Sequence, residues 1–133
     1  MTSLFIRGGR VVTDSAATTA HVRILDGVIA EIGSDLSPGP NDQVVEAEGC
    51  WVGPGFVDLH THLREPGKEA AENIESGANA AALGGYSAVV AMPNTEPALD
   101  SVAMVTYVLD RGARARVDVA VAGAITVGRQ GEQ

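Results

Sequence analysis

From Trp51 onward the chain alternates short apolar runs with segments of helical period, and this alternation restricts its fold more than any other feature. Phe56-Val57-Asp58-Leu59-His60 has strand composition and is entered through Gly53-Pro54-Gly55. The spacing predicts a helix over 69–83, with Ile74, Ala78 and Ala81 on one face and Gly84-Gly85 as its stop. Ser87 to Met92 is a continuous apolar run, as a strand buried on both faces would be. Asp100 is the expected N-cap of a second helix, whose Val102, Val105 and Leu109 share a face before Gly112. Val117 to Ala122 is the expected third strand. Strand, helix, strand, helix, strand implies an α/β chain with a parallel sheet and right-handed crossovers. A closed (β/α)8 TIM barrel needs eight strands and about 250 residues. With 133 residues, the chain is expected to form an incomplete barrel of about three strands, its end at 128–133 a loop leading onward.

The first fifty residues have a different rhythm. Leu4-Phe5-Ile6, Val11-Val12, Val22 to Leu25 and Val28 to Ile32 are β-branched clusters, with the hairpin dipeptide Asp26-Gly27 between the last two. A surface loop is expected from Ser34 to Asp42, where Pro38, Gly39 and Pro40 fall, and Val44 to Ala47 resumes the strand pattern. The expected organisation is therefore 1–52 as the N-terminal part of a small β-sandwich-like domain and 53–133 as a truncated barrel portion.

Hydrophobic residues make up 45% and charged residues 20% of the chain, which supports a packed core rather than disorder. Acidic residues outnumber basic ones 17 to 9, for a formal charge of −8. Nucleic acid and anionic membrane both select clustered Lys and Arg, so neither is expected as a partner. Cys50 is the single cysteine; it is read as a small core residue on a strand and suits a reducing, cytoplasmic compartment. The start of the chain does not resemble a secretory signal, and no apolar run approaches the ~20 residues of a membrane helix.

The strongest chemical signal is Asp58-Leu59-His60-Thr61-His62. Side chains alternate faces along a strand, so His60 and His62 are expected to point the same way, with Asp58 beside them. Two imidazoles one strand pitch apart can hold a metal ion such as zinc. Taken alone, a His-x-His pair is as often incidental as functional. Its place at the carboxyl end of a strand feeding a βα unit favours function. If the strand direction persists, Arg64 reaches the same mouth, where a guanidinium can grip a carboxylate through two hydrogen bonds; a lone arginine is otherwise a solvated surface residue. Asn94, in Met92-Pro93-Asn94-Thr95, follows the second strand on the same face. Taken alone, that segment is an ordinary turn.

Gly53 to His62 resembles the opening of the amidohydrolase superfamily. Leu63-Arg64-Glu65-Pro66-Gly67, Glu72 to Gly77, Gly84-Gly85-Tyr86 and Met92 to Thr95 resemble its dihydroorotase family in particular. The resemblance implies a (β/α)8 barrel with a small β domain, and a binuclear zinc centre to which His60 and His62 contribute ligands. It implies that Arg64 and Asn94 bind the carboxylate of a small-molecule substrate. The reaction implied is reversible hydrolysis of dihydroorotate to N-carbamoyl-L-aspartate in pyrimidine biosynthesis. The remaining ligands and the proton-moving aspartate are expected on later strands, so no catalytic residue is assigned here and the chain alone is expected to be inactive. A homo-oligomer or another pyrimidine-pathway enzyme is an open partner for the intact parent. The competing readings are an allantoinase or hydantoinase, whose substrates lack the ring carboxylate, and a non-catalytic homologue serving as a structural partner.

Overall fold

The computed structural model describes residues 2–131, and the expected terminal loop therefore lies partly outside the described residues. The chain divides into two compact units, Met1–Pro54 and Gly55–Gln133.

The first unit is one mixed five-stranded sheet. β1 (Ser3–Val12), β2 (Ala17–Leu25) and β3 (Val28–Gly33) run antiparallel; β4 (Gln43–Glu46) and β5 (Trp51–Val52) add in parallel to the other edge of β1. The two apolar clusters expected near residues 4 and 11 are one strand. Its register slips between Ile6 and Gly9, and the Gly8 amide, at φ 77°, donates to His21 Nδ1 at 3.0 Å instead of a ladder carbonyl. Phe5 is fully buried and stacks on the His21 ring, and Val11, Ala20 and Val22 form an apolar cluster. Cys50 is exposed and lies outside the strands, which corrects its expected core position. Its amide closes a turn onto Ala47.

The second unit is a three-stranded parallel sheet in the order β6 (Phe56–Thr61), β7 (Tyr86–Ala91), β8 (Asp118–Val121), linked by α1 (Ile74–Leu83) and α2 (Val102–Gly112). Leu63, Ile74, Ala78, Val89, Ala91, Leu99, Val108 and Val117 form its core, in which both helices and the sheet take part. Both helices begin later than expected. α1 starts at Ile74, not Glu69, because Asn73 and Ser76 form a reciprocal cap. Upstream, the Glu69 carboxylate is engaged with the Gly67 amide. α2 is capped by Ser101, and Asp100 instead accepts the Gly128 amide at 2.6 Å. Gly112 lets α2 approach β8 closely: a Cβ there would lie 2.6 Å from Val119 Cβ. Among the described residues no helix is long and apolar enough to cross a membrane.

Candidate metal-binding and substrate-binding site

The parallel ladder of β6 and β7 pairs Asp58 with Val89 and then Thr61 with Ala91. Three steps on β6 thus match two on β7, which is a bulge of one residue. Registered partners share a face, and Val89 and Ala91 are buried in the core shared with the helices. Asp58 therefore faces the helix side, where it lines a cavity of about 200 Å³ with Gly77 and Ala81. The expectation that Asp58 shares a face with the imidazoles fails here, because the bulge breaks the alternation on which it rested. Asp58 has a different part: its Oδ1 accepts the His60 amide at 2.9 Å. That hydrogen bond foremost holds the Asp58 carboxyl below the ordinary carboxylate value.

His60 and His62 come together at the carboxyl end of β6, with ring centroids 5.1 Å apart and the rings edge to face. His62 Nδ1 lies 2.8 Å from Asn94 Oδ1, on the loop that follows β7. An amide oxygen can only accept, so Nδ1 carries the proton and the Nε2 lone pair of His62 stays free for a ligand. Hydrogen bonding of this kind orients metal-ligating imidazoles. Two nitrogen donors at a strand end fit part of a metal site, although among the described residues no group of three His, Cys, Asp or Glu could hold a metal.

Arg64 is not reached by a continuing strand, since β6 ends at Thr61. The Glu65 amide donates to the Leu63 carbonyl at 2.8 Å around an Arg64 φ of 65°. A three-residue turn with a positive central φ is the uncommon γ-turn, and such backbone strain costs about 1–3 kcal/mol. The Arg64 side chain is exposed and makes no hydrogen bond or ion pair among the described residues. The structure thus joins His60, His62 and Asn94 by direct contacts, while Arg64 is linked to them through the backbone. The Glu96 amide donates to the Pro66 carbonyl at 3.0 Å, tying the loop after β6 to the loop after β7. At Gly67, with φ 101°, a Cβ would overlap the Glu96 carbonyl oxygen, so the two loops meet only over a glycine.

Glu65 was given no role by the sequence reading. Its carboxylate is only 6% exposed. Oε2 accepts the Ile74 amide at 2.8 Å, the first N–H of α1. Oε1 accepts Tyr107 Oη at 3.0 Å and Arg111 Nε at 2.9 Å, both on α2. The Arg111 guanidinium also lies over the Tyr107 ring, 4.5 Å from its centroid. Removal from water and the Glu65 carboxylate raise the Tyr107 hydroxyl above its ordinary value, keeping it a donor. Two of these partners are nine and 42 residues away, so no local pattern announces them. An open cavity of about 650 Å³ lies beside this cluster, lined in part by Glu69, Tyr107, Asp110 and Arg111. Neither imidazole nor Asn94 reaches it, so it is separate from the candidate site.

In this α/β unit the paired imidazoles lie at the carboxyl end of a parallel strand, the end at which barrel enzymes carry their sites. The family described as Dihydro-orotase-like matches residues 49–133, and the chain belongs to that family. It is 46% identical over 133 residues to a dihydroorotase of Solibacter usitatus, covering 98% of this chain and 31% of that protein. It is 49% identical over 132 residues to a dihydroorotase of Mycobacterium tuberculosis, covering 98% of this chain and 30% of that protein. The chain thus spans less than a third of the length of these relatives. Among solved structures, an L-hydantoinase (dihydropyrimidinase) from Arthrobacter aurescens matches with a TM-score of 0.80 and 28% identity, over 93% of this chain and 28% of that one. A dihydropyrimidinase from Brevibacillus agri matches with a TM-score of 0.78 and 30% identity, over 93% of this chain and 27% of that one.

Proposed function

We propose that this chain is part of a zinc-dependent dihydroorotase. In this reading β6 to β8 are the first strands of a (β/α)8 barrel, 1–52 belongs to a small β domain, and 53–133 belongs to the barrel. The observation that carries it is the imidazole pair at the end of β6 with Asn94 bonded to His62 from the neighbouring strand. His60 and His62 would hold a zinc ion, one of two in the complete protein. When bound, the metal supplies Lewis acidity toward water and an amide carbonyl.

This chain's own residues then bind and orient. Arg64 donates to the carboxylate of dihydroorotate through its planar fork. Asn94 keeps its Oδ1 on His62 and offers its amide N–H groups to the same carboxylate, so that it fixes both ligand and substrate. Water adds to the ring amide carbonyl, the C–N bond breaks, and the nitrogen takes a proton to give N-carbamoyl-L-aspartate. The group that moves the proton is expected on strands beyond β8. The compartment consistent with the lone Cys50 is the cytoplasm.

A hydantoinase-type activity is the second reading, favoured by the structural match to the L-hydantoinase. The identity to dihydroorotases, at 46–49%, and the exposed Arg64 favour the first. The deciding experiment offers the full-length protein dihydroorotate, hydantoin and dihydrouracil, before and after chelation and zinc replenishment. Turnover of dihydroorotate that is lost on chelation and restored by zinc supports the proposal; turnover of only the substrates without a ring carboxylate overturns it.

A further inference from the structure

We propose that Glu65 is a positioning residue that holds the Arg64 backbone in its strained turn, from which the side chain reaches the substrate. The inference rests on the reading of Arg64 as the carboxylate-binding residue. Arg64 has a backbone conformation that non-glycine residues avoid, so something else must hold it there. Both of its neighbours are anchored. Leu63 is 3% exposed and lies in the core with Ile74 and Ala78, while Glu65 is 6% exposed and clamped by three donors. Those donors come from the first residue of α1 and from two residues of α2, so both helices of the unit fix one carboxylate. Relaxing Arg64 to a negative φ would redirect the chain on either side of it, against the burial of Leu63 and the three donors on Glu65. The Arg64 side chain is left as the free element of the turn, presented to solvent. Preorganisation of this backbone leaves only the rotamers of the arginine to be ordered on binding.

The test uses the full-length enzyme with dihydroorotate as the probe. The variants are Arg64→Ala, Glu65→Gln, Tyr107→Phe and the double variant Arg64→Ala/Glu65→Gln. Glu65→Gln removes the charge that Arg111 needs, and Tyr107→Phe removes one donor while keeping the ring beneath Arg111. Each should raise KM by about fivefold or more, the scale expected for coupled neighbours, with kcat changed far less. Zinc content should stay at the wild-type level in all of them. In the Arg64→Ala background, Glu65→Gln should add no further change in KM, because its effect passes through Arg64. A purely structural clamp would lower the unfolding temperature and affect kinetics equally in both backgrounds; that outcome overturns the positioning role. The role is also overturned if Arg64→Ala raises KM while Glu65→Gln and Tyr107→Phe leave it unchanged. An unchanged KM in Arg64→Ala defeats the carboxylate-binding reading itself, and this inference with it. If Glu65→Gln fails to fold, Tyr107→Phe, made in the wild type and in the Arg64→Ala background, decides between these outcomes.

Discussion

His60 illustrates how a single residue depends on the group that holds its backbone. Its amide leaves the ladder at the β6 bulge and is taken up by Asp58. Asp58→Ala should therefore loosen the bulge and lower the zinc affinity of the complete protein by about tenfold or more, the scale at which loss of a group supporting a ligand acts; metal titration of the variant checks this. In the first unit, Asp42 accepts from the Ser3 hydroxyl and the Gly39 amide and lies 3.6 Å from Arg23 Nε. These bonds, that from Ser3 foremost, hold its carboxyl below the ordinary value of 3.8. A carboxylate with a lowered folded value contributes stability that is complete above the unfolded value and is lost as pH falls through the folded one. The stability difference between wild type and Asp42→Asn should thus be constant near neutral pH and shrink below about pH 4, as followed by urea unfolding across a pH series. Glu65→Ala would strand Arg111, Tyr107 and the Ile74 amide together, and should destabilise by about 2–3 kcal/mol, the scale of charged hydrogen bonds near the interior.

At the scale of elements, the start of α1 is decided by hydrogen bonds rather than by apolar period. Asn73 Oδ1 accepts the Ser76 amide at 2.8 Å, and Ser76 Oγ accepts the Asn73 amide at 3.1 Å. Asn73→Ala should cost about 1 kcal/mol and Asn73→Gly a few tenths, the usual scale for this cap, measured by urea denaturation. The helical face of Ile74, Ala78 and Ala81 was legible in the sequence because its period is set by side chains alone. The first turn was not. Between Gly67 and Asn73, polar side chains compete for the same backbone donors, as Glu69 does on Gly67, and a local pattern cannot rank such competitors.

At the scale of the molecule, β6 and β8 are the outer strands of the sheet β6-β7-β8 among the described residues, each paired on one side, and Phe56, Val57 and Leu59 on β6 are exposed, Leu59 by 72%. Unpaired apolar strands template association. The 133-residue chain expressed alone should self-associate in a concentration-dependent way, and Val57→Lys with Leu59→Lys should reduce that association, as read by light scattering on a sizing column. It should also hold zinc weakly and fail to hydrolyse dihydroorotate, since catalytic zinc sites usually draw about three protein ligands. A monodisperse monomer with stoichiometric zinc and turnover would contradict all three expectations.

The sequence by itself determined the strand–helix alternation after Trp51, the hairpin at Asp26-Gly27 and the motif that carries His60, His62, Arg64 and Asn94. Each of these is written in neighbouring residues, through periodicity, turn chemistry or spacing. Only the tertiary structure decided that Asp58 turns to the helix side, that Asn94 meets His62, that Arg64 sits at the centre of a strained turn, and that Glu65 binds both helices. All four depend on register or on partners far along the chain. A bulge shifts a strand by one residue without a composition signal, and a buried carboxylate finds its donors only after the helices have packed.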